Sequence, residues 1–88
     1  MKKTKVINEL FGQKVRFMRM SKGLSQEELG HQSGLHRTYI GQIERAEKNI
    51  TLQNIYKIAN TFDIEVKELL DFGDVYKEHA NNKNNKKS

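Results

Sequence analysis

Cysteine, proline and tryptophan are all missing from the 88 residues. Without cysteine there are no disulfides, no thiolate metal ligands and no cysteine nucleophile, and the chain suits a reducing, cytoplasmic setting. Without proline, no residue breaks a helix from within, and β-branched runs are short, so helices are expected to dominate. Long apolar runs are absent too. The basic start MKKTKVINELF leads into none, which argues against a signal peptide and against a membrane span. The three histidines, His31, His36 and His79, do not share an i, i+4 ligand spacing, so no metal site is expected. There is no phosphate-binding loop and no nucleophile set beside a base. These absences speak against an enzyme, and no cofactor or small-molecule effector is expected.

A chain this short is one domain, and it buries only about 60–65% of its unfolded surface. The core is then modest, and a partner chain or ligand can matter to stability. Charge is abundant and uneven, within a net of +5. Residues 1–22 carry seven Lys/Arg against Glu9, a net of +6, whereas residues 23–50 carry −1, residues 51–72 carry −2 and residues 73–88 carry +2. Basic charge at one end of a domain favours a polyanionic partner.

Apolar periodicity and end signals divide the chain into five helices. Phe11, Val15 and Met18 fall on one stripe of a helix over about residues 8–21, closed by Gly23. Ser25 to Glu28 reads as a capping box opening a second helix through Ser33, and Gly34 suits a left-handed turn. A third helix covers residues 37–45 with Ile40 and Ile43 inward and His36 as its N-cap. Thr51 caps a fourth, whose stripe is Leu52, Ile55, Ile58, Ala59 and Phe62. A fifth spans about residues 65–72. Residues 1–7 read as a basic arm, residues 8–72 as the domain, and residues 73–88 as a polar basic tail, disordered in its NNKNNKKS end.

The second and third helices, short and joined by a glycine turn, match the helix-turn-helix plan, whose second helix enters the DNA major groove. Gly30 falls where the two helices cross, and close approach leaves room for no larger side chain. The segment GLSQEELGHQSGLHRTYIGQIERAEKN resembles the Cro/repressor-type, or XRE-like, helix-turn-helix family over about residues 8–72. Within that family, RTYI at 37–40, IER at 43–45 and Asn49 are most similar to controller proteins of restriction–modification systems. The implied fold is all-α, a compact five-helix bundle of the phage-repressor DNA-binding type.

The resemblance also implies a site. Arg37, Thr38, Tyr39 and Gln42 would read bases, Arg37 by bidentate bonding to guanine. Lys22, Ser25, Gln26, His36, Arg45 and Asn49 would meet phosphates. Tyr39 has a competing role packing on the domain edge, and Lys14 and Arg16 are peripheral phosphate candidates. Arg19 and Glu44 would form a structural salt bridge. Ile64, Val66, Leu69, Leu70 and Phe72 exceed the needs of one small core and would form a homodimer patch, unless all are buried in the monomer. The expected function is a sequence-specific transcription regulator that binds double-stranded DNA as a dimer on a pseudo-palindromic operator. It would act by covering a promoter or by touching RNA polymerase. Alternatives are a phage-type repressor, an autoregulating antitoxin, or a bridging module for other proteins.

Overall fold

The structure, a computed structural model, describes residues 2–75, with side chains from residue 5 onward. Among these residues there are five α-helices: α1 (Lys2–Ser21), α2 (Gln26–Ser33), α3 (Arg37–Glu44), α4 (Leu52–Thr61) and α5 (Val66–Leu69). A further helical turn follows at 73–75. No described helix is long and apolar enough to cross a membrane.

Each helix inserts its apolar stripe into one core of Phe11, Val15, Leu29, Ile40, Ile43, Ile55, Ile58, Ala59, Phe62 and Leu69. The helix ends explain the tight connections. At the close of α1, the Leu24 N–H donates to Arg19 O and the Gly23 N–H to Met20 O, with Gly23 at φ 70°. This is the Schellman arrangement with glycine in the left-handed position. The same pair of bonds ends α3 through Ala46 (φ 61°) and α4 through Asp63 (φ 59°). Those two residues lack glycine's freedom, so both ends carry modest backbone strain.

Several boundaries differ from the sequence reading. α1 begins at Lys2, so residues 2–7 continue the helix instead of forming a separate arm. α5 stops at Leu69, and beyond its C-cap Leu70 the Asp71 carboxylate accepts the Gly73 N–H at 3.0 Å in a turn. In the segment after Gly73, Val75 is buried and Asp74 accepts a 2.6 Å bond from the Lys14 ammonium. Lys14 is only 6% exposed, which rules out its assignment as a peripheral phosphate contact. The NNKNNKKS end and His79 lie outside the described residues. Leu52, assigned to the inward stripe of α4, is 72% exposed. As the first residue of α4, it sits a turn short of the packed face.

Candidate nucleic-acid interface

The helix pair is fixed by close backbone approach. A Cβ on Gly30 would lie 2.8 Å from Arg37 N and 2.9 Å from Leu35 O, so α2 touches the start of α3 with no side chain between them. Gly12 does the same for α1, where a Cβ would lie 2.5 Å from Ile43 O at the end of α3. The sequence signal for Gly12 is an isolated helical glycine, which costs about 1 kcal/mol unless packing recovers it.

Capping holds the exposed ends. Ser25 Oγ accepts from Glu28 N at 3.0 Å and Glu28 Oε1 accepts from Ser25 N at 2.8 Å, completing the box at α2. The bond from the Ser25 backbone N–H, and after it the Ser25 side chain, hold the Glu28 carboxyl below its ordinary value. At α3, His36 Nδ1 accepts from Thr38 N at 3.1 Å. That bond requires an unprotonated Nδ1, leaving Nε2–H as the imidazole's remaining donor.

Beneath this surface Arg19 lies side-on to Glu44, Nε to Oε2 at 2.7 Å and Nη2 to Oε1 at 3.1 Å, and its Nη1 donates to Leu24 O at 2.7 Å. Gln26 Nε2 donates to the same Oε1 at 3.0 Å. The network ties α1, α2 and α3 together, and it engages the Gln26 amide nitrogen inside the fold.

On the outer side, Arg37 and Thr38 are exposed on the first turn of α3, beside the start of α2. The Arg37 side chain is 64% exposed, and its guanidinium lies 3.6 Å from the Glu27 carboxylate. Tyr39 is half-buried against the core, and its hydroxyl accepts from Asn54 Nδ2 at 3.1 Å. The ring thus braces α3 against α4 while the phenolic proton stays available. Gln42 is half-buried a turn further on, and Lys22 is exposed at the end of α1.

In the loop between α3 and α4, Arg45 is clasped by Glu47, Nε to Oε2 at 2.9 Å and Nη2 to Oε1 at 3.2 Å. Hydrogen bonding from Arg45 lowers the Glu47 carboxyl from its ordinary value. Asn49 Oδ1 accepts from Asn8 Nδ2 at 2.8 Å. Sequence reading singled out none of Asn8, Glu27 and Glu47. Neither Glu27 nor Glu47 carries a local signal of its pairing, and Asn8 stands 41 residues from its partner.

The apolar patch is revised in part. Leu69 is fully buried in the core, so it presents no dimer surface. Its neighbours on the α5 side divide as amphipathic spacing requires: Leu70 is 41% exposed, while Ile64, Val66 and Phe72 are half-buried against the core. A separate exposed apolar area lies on α4, where Leu52 and Tyr56 (59% exposed) stand one turn apart and line a shallow apolar hollow. Among the described residues no cluster of His, Cys, Asp or Glu has the arrangement of a metal site.

Comparison with known proteins agrees with this architecture. The helix-turn-helix family model matches residues 15–69. Control protein C.BamHI of Bacillus amyloliquefaciens is 51% identical over 70 residues, covering 78% of this chain and 86% of the relative. Control protein C.SmaI of Serratia marcescens is 45% identical over 64 residues, covering 73% and 76%. The crystal structure of the restriction–modification controller protein C.AhdI from Aeromonas hydrophila superposes with a TM-score of 0.69 at 50% identity, covering 70% of this chain and 94% of that one. The biofilm regulator SinR, solved in complex with DNA, superposes with a TM-score of 0.66 at 34% identity, covering 69% and 98%. The chain therefore belongs to the helix-turn-helix family of DNA-binding regulators, among the restriction–modification controller proteins.

Proposed function

We propose that the chain is the controller of a restriction–modification system, binding a pseudo-palindromic operator as a homodimer through α2 and α3. The observation that carries this reading is the exposed pair Arg37 and Thr38 on the first turn of α3. Ile40 and Ile43 hold that helix from below with no exposed area beyond 2%. A rigid helix with exposed polar side chains at its leading end is what major-groove reading requires. Arg37 supplies two parallel donors to guanine O6 and N7, a contact worth about 1–3 kcal/mol of discrimination. Thr38, Tyr39 and Gln42 extend the reading along the same face.

Phosphates flank that contact. Orphan N–H groups at the start of α2, opened by Ser25 and Gln26, favour an anion, as does the outward Nε2–H of His36 at the start of α3. Lys22, Arg45 and Asn49 border the same surface. Two copies joined through the apolar area of α4 and α5 would set two recognition helices about 34 Å apart, one turn of B-form DNA. Leu52, Tyr56, Leu70 and the partly exposed edges of Ile64, Val66 and Phe72 form that contact. Regulation follows from covering a promoter or from touching RNA polymerase beside it.

The test is Arg37→Ala, assayed on a duplex enriched from a random pool by the wild-type chain. Preference over random DNA should drop by about tenfold or more at unchanged melting temperature. Unchanged preference would remove Arg37 as the reader.

A further inference from the structure

We infer that Asn8, on α1, is the positioning residue that sets the orientation of the Asn49 amide for phosphate contact. The inference deepens the proposed function and rests on Asn49 facing DNA.

A phosphate only accepts hydrogen bonds, so a side-chain amide can serve it only through its NH2. An exposed asparagine presents either face with little preference, because its terminal torsion is broad and roughly two-fold. In this fold the choice is made. Asn8 Nδ2 donates to Asn49 Oδ1 at 2.8 Å, which occupies the acceptor and turns both Asn49 N–H donors away from α1. The pairing depends on how closely α1 meets α3. Gly12, one turn after Asn8, lets the α1 backbone rest on Ile43 O and Glu44 O, and that contact lays the preceding turn over the loop carrying Asn49. The neighbouring cation is neutralised in part by its clasp with Glu47. A fixed neutral donor beside it therefore adds a contact that does not depend on free charge.

The fitting test is a set of substitutions in the full-length chain, read on the wild-type-enriched duplex of roughly 30 base pairs, long enough for two half-sites. Asn49→Ala should weaken binding about tenfold. Its salt slope should be unchanged, because an amide neutralises no phosphate. Asn8→Asp offers only acceptors, so it should draw the Asn49 NH2 toward itself and lose a similar factor. In the Asn49→Ala background the same Asp substitution should cost only its added charge. Asn8→Ala should fall between, by about twofold, since the amide is then free to turn. Melting temperatures should match wild type, given the exposed setting of the pair.

Equal losses from Asn8→Asp with and without Asn49 would overturn the inference, since charge alone would then be acting. So would wild-type affinity in Asn49→Ala, which leaves the DNA-binding reading intact. A wild-type chain that enriches no duplex from the pool would instead bring down the proposed function, and this inference with it.

Discussion

Arg19 and Glu44 meet side-on with their side chains 12% and 4% exposed, joining α1 to the last turn of α3. A charge pair so removed from water is sustained only when its remaining hydrogen-bonding capacity is filled. Here Leu24 O takes the third guanidinium contact and Gln26 takes the second donor position on Oε1. Glu44→Ala would leave a nearly buried guanidinium without its counter-charge, and the expected loss is about 3 kcal/mol of unfolding free energy. Replacing both partners by apolar residues of similar volume should cost much less. Urea denaturation of the two single variants and the double variant measures the difference. A single variant within about 0.5 kcal/mol of wild type would show that the pair does not hold the helices together.

Glycine substitutions should divide by what stands opposite. Alanine normally stabilises a helix by about 1 kcal/mol over glycine. At Gly12 and Gly30 a new methyl would meet backbone atoms, 2.5 Å from Ile43 O and 2.8 Å from Arg37 N. Neither can yield without moving α3, so Gly12→Ala and Gly30→Ala should each destabilise by about 1–3 kcal/mol. Operator affinity should fall with them, because α3 carries Arg37. Gly41 is the control, since its nearest contact is the flexible Arg45 Nη1 at 3.0 Å, and Gly41→Ala should be near neutral. Thermal melts of the three variants settle the order, and a stabilised Gly30→Ala would contradict the close crossing.

Much of this architecture is legible in the residues because it is written in local chemistry. Ser25 and Glu28 announce the start of α2, Gly23 and Gly34 its borders, and Ile40 with Ile43 the inward face of α3. What stayed hidden depends on chain segments that meet only in space. Ala46 and Asp63 occupy left-handed positions that sequence assigns to glycine, so the ends of α3 and α4 lack their usual mark. Leu52 keeps the spacing of an inward residue yet lies outside, whereas Leu69 reads as part of a dimer patch and lies inside. Periodicity gives a stripe but not its limits. The ion pair of Arg37 with Glu27 and the hydrogen bonds of Arg45 with Glu47 and of Asn8 with Asn49 have no sequence signature.

Leu52 and Leu69 should therefore respond in opposite ways to the same substitution. Leu69→Ala removes a fully buried side chain and should cost about 2–5 kcal/mol of stability. Leu52→Ala, on a residue 72% exposed, should leave monomer stability within about 0.5 kcal/mol. If α4 and α5 form the contact between two copies, Leu52→Ala and Tyr56→Ala should weaken association instead. Sedimentation equilibrium at several concentrations reads this directly. Dimerisation unaffected by both substitutions would move the interface elsewhere, with Ile7, Phe17 and Met20 as the exposed large apolar side chains of α1.

Protonation of Glu28 should loosen the start of α2 in acid. The Ser25 backbone N–H, then the Ser25 side chain, hold this carboxyl below its ordinary value of 4.5. A carboxyl depressed in the folded state contributes stability above its unfolded value and loses that contribution as pH falls through the folded one. Melting temperature should thus decline as the solution is acidified from above 4.5, and Glu47, depressed by its bond from Arg45, adds to the same slope. Glu28→Gln separates the cap from the charge, because glutamine can still accept from the Ser25 N–H but does not titrate. That variant should stay capped near neutrality and show a shallower acid slope than wild type. An identical slope in the two proteins would mean that Glu28 is not among the groups coupled to folding.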